Sequence, residues 1–311
     1  MQTQLDEMRA LTAAARNRRT ETGIPRIAMV QGEIPEHKLA AVYDPMINLI
    51  LQGSKSLTIG SHTLHYDPAT YFVMSIDLPA VGKVRPAADG APYLAVSLTL
   101  DLTLLGSLLA DLPIRDEQHK ETGFSVAAVT PELLDAWLRM LRLMNRPSDI
   151  AALAPAYERE ILYRVLQGPN GWMLRDIASP DTALARVNLA IQWIRRHFAE
   201  PLRTELLAEK ATMSVSAFHR HFKAVTALSP LQFQKQVRLM HARTLLFSTG
   251  RSVTAAALDV GYESPTQFSR EYARAFGLPP TKDVDRIAPR MTRERTRTKI
   301  TNQNESNGRT L

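Results

Sequence analysis

The chain contains no cysteine. That excludes disulfides, thiolate zinc sites, thiol nucleophiles and cysteine-based sensing of redox state or electrophiles. No apolar run approaches the ~18 residues that a membrane-crossing helix needs. No glycine-rich phosphate loop, Ser-His-Asp arrangement or suggestively spaced carboxylate pair is visible. Met1–Thr22 is polar, with Arg16, Arg18 and Arg19 late in it. It does not read as a secretory leader, and it predicts a cytoplasmic protein with no membrane partner. What remains is a chain of 311 residues with 45% hydrophobic content, ample for two cores. Two domains are expected at this length.

Charge divides the chain. Residues 186–311 hold 21 Lys and Arg against 10 Asp and Glu, a balance of +11, whereas residues 1–185 balance at −4. A basic segment of this kind is expected of a phosphate-facing domain. A membrane-surface helix is the rival reading, but the arginines are spread over several short helical stretches, not along one amphipathic face.

The basic segment contains a duplication. Ser214-Val215-Ser216-Ala217-Phe218-His219-Arg220-His221-Phe222 and Ser264-Pro265-Thr266-Gln267-Phe268-Ser269-Arg270-Glu271-Tyr272 share the pattern Ser-x-[Ser/Thr]-x-Phe-x-Arg-x-[Phe/Tyr]. Aromatics four apart share one helix face and anchor it, while the arginine between them points outward. Ser214 and Ser264 are N-cap candidates, and Pro265 suits the first helical position. A helical stretch precedes each copy across a short turn, Leu206–Ala211 in the first case and Val253–Asp259 in the second. Helix, short turn, helix is the helix-turn-helix layout, whose second helix enters the major groove. A helix pair with a tight turn also occurs in ordinary all-α cores, but two matches at a fixed offset weigh against that reading. Between the copies, Ser229-Pro230 starts and Gly250 stops a helix over Leu231–Phe247 with Phe233, Val237 and Met240 on one stripe. Such a rod, ~27 Å long at 1.5 Å per residue, is suited to hold two recognition helices about one DNA turn apart.

Residues of about 186–284 resemble the DNA-binding domain of the AraC/XylS transcriptional regulators. The resemblance rests on Met213-Ser214-x-Ser216, Phe218-x-Arg220-x-Phe222-Lys223, Ser229-Pro230, Gly261-Tyr262-Glu263-Ser264, Gln267-Phe268-Ser269-Arg270 and Phe276-Gly277-Leu278-Pro279-Pro280. Thr212 stands where the family usually has glycine. A β-branched residue disfavours positive φ, so a rearranged first turn is expected. Pro265 occupies a surface position that carries a base-reading side chain in some relatives.

The N-terminal half holds a short apolar run ended by glycine, Ile47–Gly53, an alternating run, Lys55–Gly60, then His62–Tyr66 after a Gly-Ser turn, and further runs over Tyr71–Ser75 and Tyr93–Leu100. These predict strands of an antiparallel sandwich or barrel. Helical patterns follow over Leu102–Leu112, Pro131–Met144 and Ala151–Gln167. Their stripes, Leu133, Leu134, Trp137, Leu138 and Leu141 with Ile161, Leu162 and Val165, fit either a dimer seam, slightly favoured, or packing on the barrel. Residues 20–170 resemble the regulatory domain of one AraC subgroup through Tyr43-Asp44-Pro45, Leu51-Gln52-Gly53-x-Lys55, Tyr66-Asp67-x-x-x-Tyr71 and Asp77-Leu78-Pro79. This implies a cupin-like β-barrel that binds a small effector or mediates dimerisation.

A cupin barrel raises the alternative of a metal-dependent enzyme with an appended DNA-binding module. Metal cupins converge several histidines and a carboxylate on one ion. Here His62 and His65 are three apart, on opposite faces of a strand, with Asp67 the closest acid. His37 is a loop residue. His219 and His221 fall on the first recognition helix, His219 as a DNA contact and His221 as surface. No metal, no cofactor and no catalysis are therefore expected.

The expected fold class is α+β: an N-terminal cupin-like antiparallel β-barrel with a helical extension, then an all-α double helix-turn-helix domain. The expected division is an extension over 1–20, a regulatory, effector and dimerisation domain over 21–175, a DNA-binding domain over 186–288 and a disordered basic tail over 289–311. The function expected is an effector-responsive, sequence-specific regulator that reads promoter DNA with helices at about 214–223 and 264–275. A non-specific architectural DNA protein is the rival that a footprint separates. Candidate DNA contacts are Ser214, Ser216, Ala217, His219, Arg220 and Lys223 in the first helix. In the second they are Ser264, Thr266, Gln267, Ser269, Arg270 and Arg274. Arginine suits guanine, glutamine suits adenine, and capping serines suit phosphate. The candidate effector pocket is lined by Leu49, Leu51, Leu57 and Ile59. Double-stranded promoter DNA, a small-molecule effector and a second copy of the chain are expected partners. RNA polymerase, and activation in preference to repression, follow from the family resemblance.

Overall fold

The computed structural model describes residues 2–16, 18–32, 39–68, 70–113 and 121–286. His37 and the tail over 289–311 lie outside the described residues. The chain forms two compact units. One comprises residues 1–196 and 202–233; the other comprises residues 197–201 and those from 234 on.

The first unit begins with α1 (Gln2–Leu11), whose Leu5 and Met8 are buried. The polar N-terminal stretch hid this helix, because only those two apolar positions face inward. Among the described residues ten strands follow: β1 (Thr20–Glu21), β2 (Ile27–Gln31), β3 (Ala40–Tyr43), β4 (Met46–Gln52), β5 (Ser54–Ile59), β6 (His62–Tyr66), β7 (Thr70–Met74), β8 (Leu78–Arg85), β9 (Leu94–Thr99) and β10 (Phe124–Ala128). They build two antiparallel sheets, ordered β1-β2-β9-β4-β7-β10 and β3-β8-β5-β6. The chain crosses from the first sheet to the second at Gly53. Its φ is +74°, and a Cβ there would lie 2.3 Å from the Arg85 carbonyl oxygen, so only glycine fits. β5 and β6 form the expected hairpin, with Ile59 opposite His62. β8 escapes sequence reading because Pro79, Gly82 and Lys83 interrupt it, yet it pairs with both β3 and β5.

The helical extension consists of α2 (Leu102–Ala110), α3 (Pro131–Arg142), α4 (Ile150–Gln167) and α5 (Gly171–Ala178). Asp101 caps α2 and Thr130 caps α3, with Pro131 at its start. The stripe that left open a dimer seam is consumed inside the chain: Trp137, Leu134, Leu141, Ile161, Leu162 and Val165 are all at 0% exposure. These residues pack one chain's core and leave nothing of the stripe for a second copy. Arg26 ties β2 to this layer by pairing with the buried Glu158 of α4.

Among the described residues the basic segment is built of helices: α6 (Ala183–Arg196), α7 (Thr204–Lys210), α8 (Val215–Thr226), α9 (Pro230–Ser248), α10 (Val253–Asp259) and α11 (Pro265–Phe276). α6, α7 and α8 belong to the first unit; α10 and α11 belong to the second, and α9 runs from one into the other. A reciprocal capping box starts α9. Gln232 Oε1 accepts from the Ser229 N–H at 2.9 Å, and Ser229 Oγ accepts from the Gln232 N–H at 3.3 Å.

Candidate nucleic-acid interface

The two copies fold alike. Ser214 Oγ accepts from the Ala217 N–H at the start of α8, and Ser264 Oγ accepts from the Gln267 N–H at the start of α11, both at 3.3 Å. Phe218 and Phe222 of α8, and Phe268 and Tyr272 of α11, are all fully buried. Phe222 meets Phe233 edge-on at 5.5 Å, and Phe268 meets Tyr262 at 5.3 Å. The aromatic face fixes which residues look outward. Ser214, Ser216, His219, Arg220 and Lys223 are exposed on α8, with Ala217 half-buried. On α11, Thr266, Gln267, Arg270 and Arg274 are exposed, with Ser264 and Ser269 half-buried. Arg220 lies beside His221, Nη2 to Nε2 at 3.2 Å. Gln267 donates to Glu271 Oε1 at 3.1 Å. Among the described residues, Arg270 and Arg274 hold no ion pair.

The turns before the two helices also match in backbone terms. The Thr212 N–H donates to Glu209 O and the Met213 N–H to Ala208 O; the Gly261 N–H donates to Leu258 O and the Tyr262 N–H to Ala257 O. Thr212 keeps the left-handed conformation, φ +52°, where Gly261 has +86°. The expected rearrangement does not occur: the two carbonyl bonds and the burial of Ala211 and Phe218 hold the turn, and the threonine carries the strain. The second turn accommodates one more residue, Glu263, before its cap.

His221 is not a plain surface residue. It is half-buried, with Nδ1 3.0 Å from Glu121 Oε1 but without hydrogen-bond alignment. Sequence reading also missed what seats the second motif. Arg238 of α9 donates to the carbonyls of Phe198 (2.6 Å), Ala199 (3.1 Å), Glu200 (2.8 Å) and Gly261 (2.9 Å). Burial lowers its pKa, but it remains a cation. Lys235 binds Glu271 at 2.8 Å, and Tyr262 donates to the same carboxylate at 2.7 Å, which fixes α11 on α9. Hydrogen bonds from Lys235, Tyr262 and Gln267 outweigh desolvation and hold the Glu271 pKa below its usual value. The signal for these partners is weak in sequence, since a basic residue on α9 reads equally well as a phosphate contact.

A second candidate site lies in the β-sheet region, wholly within the first unit. A cavity of about 390 Å³ is walled by residues of both sheets, among them Ala28, Val30, Tyr43, Met46, Asn48, Lys55, Tyr93 and Ala95. Leu49, Leu51, Leu57 and Ile59 are buried but do not line it. The reason is the two-residue pleat. Met46 and Asn48 face the cavity, so Leu49 faces the other side of β4; Leu51 sits at the register shift between Ile50 and Gln52; Leu57 and Ile59 share the Lys55 face farther along β5. His62 and His65 are exposed on β6, and no group of three or more His, Asp or Glu side chains is poised around a metal-sized space among the described residues. No helix among them is long and apolar enough to cross a membrane.

Comparison with known proteins agrees with both halves. Residues 23–173 match the family described as AraC-type transcriptional regulator N-terminus, and residues 207–286 match a helix-turn-helix domain. The HTH-type transcriptional activator RhaS of Escherichia fergusonii is 36% identical over 172 residues, covering 54% of this chain and 59% of its own length. RhaS of Salmonella schwarzengrund is 30% identical over 155 residues, covering 49% and 54%. The chain thus spans little more than half the length of these curated relatives. The structure of ToxT from Vibrio cholerae aligns over 83% of this chain and 98% of its own, with TM-score 0.56 at 9% identity, which shows a shared fold. With its two helix-turn-helix motifs following a two-sheet N-terminal region of the matching type, the chain belongs to the AraC/XylS family of transcriptional regulators.

Proposed function

We propose that this protein is a sequence-specific DNA-binding regulator of transcription, an activator that responds to a small molecule held in the N-terminal cavity. One observation carries the reading: α8 and α11 repeat a capped start, a buried aromatic pair and an outward arginine, so two helices offer comparable polar faces to DNA. Arg220 and Arg270 fit bidentate contact with guanine, and Gln267 fits adenine once released from Glu271. Ser214 and Ser264 cap helix N-termini, where phosphate is favoured. The role is non-enzymatic and cytoplasmic, and the partners are promoter DNA, RNA polymerase and a second copy of the chain. We assign regulation to residues 21–175 and DNA binding to residues 186–288. Binding selection with the full chain, followed by a footprint on the enriched sequence, tests the proposal. A defined protected site with two recognised segments is expected; salt-sensitive binding without sequence preference overturns it.

A further inference from the structure

Lys55 occupies an apolar slot. Along β5, Lys55, Leu57 and Ile59 alternate inward, and all three are buried. Lys55 is 8% exposed and lines the cavity, yet among the described residues no carboxylate pairs with it. The ring of Tyr43 lies 5.0 Å from Nζ. An unpaired buried ammonium is costly. The fold nevertheless makes room for it: a Cβ on Gly82 would lie 3.1 Å from Lys55 Cε and 3.2 Å from Tyr43 Oη. Other polar groups around it are unsatisfied too. The Tyr66 hydroxyl, on the residue paired with Lys55 across β5 and β6, is buried without a hydrogen-bond partner among the described residues. Asn48 uses Nδ2 on the Val96 carbonyl at 3.1 Å, which leaves Oδ1 unpaired and buried at the cavity wall.

We infer that the cavity takes a small organic carboxylate with an apolar body, whose carboxylate pairs with Lys55 and whose hydroxyl or amide N–H reaches Asn48 Oδ1. The inference rests on the effector reading above and names the class of ligand. Arg18 and Arg19 also line the cavity but are exposed, Arg19 being paired with Glu21, and the Asp44 carboxylate of the wall is paired with Arg195, so Lys55 is the buried cation that meets a ligand there. The apolar wall of Ala28, Val30, Met46 and Ala95 favours an organic anion over a bare inorganic ion. Burial lowers the Lys55 pKa to about 8, so the side chain remains mainly cationic at neutral pH.

Thermal shift and calorimetry on the full chain test this with matched probes: hexanoate, octanoate and 4-hydroxyphenylacetate, each beside its uncharged primary amide. At least one carboxylate is expected to raise Tm and bind, its amide at least tenfold more weakly. Lys55→Met is expected to lose that binding at least tenfold while its ligand-free Tm is equal or higher, because an unpaired buried charge is removed. Lys55→Gln, which retains polarity, is expected to lose binding likewise. Amides that bind as well as acids, Lys55 variants that keep carboxylate affinity, or no response to any of the carboxylates each overturn the inference. Amides that bind while acids do not would overturn it too, yet leave the effector reading standing. A footprint on ligand-free protein reports separately on DNA recognition.

Discussion

Strain at single residues separates the two motifs. Thr212 at φ +52° and Ala227 at φ +60° occupy left-handed positions that Gly261 and Gly277 occupy in the second motif. A non-glycine residue there costs about 1–2 kcal/mol. Thr212→Gly is therefore expected to stabilise the protein by about 1 kcal/mol, read as a higher denaturant midpoint at unchanged slope. The converse substitution is harsher. A Cβ at Gly261 would sit 2.0 Å from the Ala199 carbonyl oxygen, inside the loop that Arg238 grips. Gly261→Ala is expected to destabilise more than the left-handed penalty alone. Equal and small effects of both changes would show that the turn readjusts freely.

At the scale of the element, the helix faces predict two opposite kinds of variant. Arg220→Ala and Arg270→Ala are expected to weaken binding to the selected site by ~1–3 kcal/mol, with unfolding midpoints unchanged. Phe218→Ala and Phe268→Ala are expected to lower stability by ~3–5 kcal/mol. Unstable arginine variants beside stable phenylalanine variants would mean that the faces are reversed. Arg238→Ala, by contrast, is expected to destabilise although arginine is nominally a DNA-facing residue, because the Ala199 and Gly261 carbonyls lose their donor and those of Phe198 and Glu200 are left to Gln234. These cases mark what was legible in the sequence. Caps, aromatic anchors and the helices of both motifs follow from local periods of 3.6 and from Ser-Pro starts. The β5 strand follows from alternation, and β4, β6, β7 and β9 from short runs bounded by turn residues. The inward arginines do not, because charge alone does not say which carbonyl lies within reach. Nor does the cavity wall: Leu49 and Asn48 are adjacent, and only the sheet partner decides which of them faces the other sheet.

Within the first unit, the sheets and the first helix-turn-helix motif share contacts that local sequence patterns do not announce. Asp77, 2% exposed at the β7–β8 connection, is bonded by Gln192 and Arg195 of α6. Arg195 also lies 3.1 Å from Asp44, a residue of the cavity wall. Near the end of α8, the Val225 carbonyl accepts from the Gly123 N–H at 2.9 Å. One arginine thus joins a buried carboxylate, the cavity wall and the helix that supports the first motif. Burial raises the Asp77 pKa above the usual carboxylate value, and Arg195 opposes that rise. Arg195→Ala removes the opposing cation and leaves a buried charge unpaired, at a cost of ~3–5 kcal/mol. The sign with pH follows from the raised pKa. A carboxyl that binds its proton more tightly in the folded state favours folding below its unfolded pKa and loses that contribution as pH rises through the folded one. The stability deficit of Arg195→Ala relative to the parent is therefore expected to be smaller at pH 5 than at pH 8, measured by chemical denaturation at both. Adding Asp77→Asn removes the ionisable group and is expected to recover part of the deficit at pH 8 and to flatten its pH dependence. A double variant as unstable as Arg195→Ala alone, with the same slope, would show that Arg195 acts through Asp44 or through its own packing on α6.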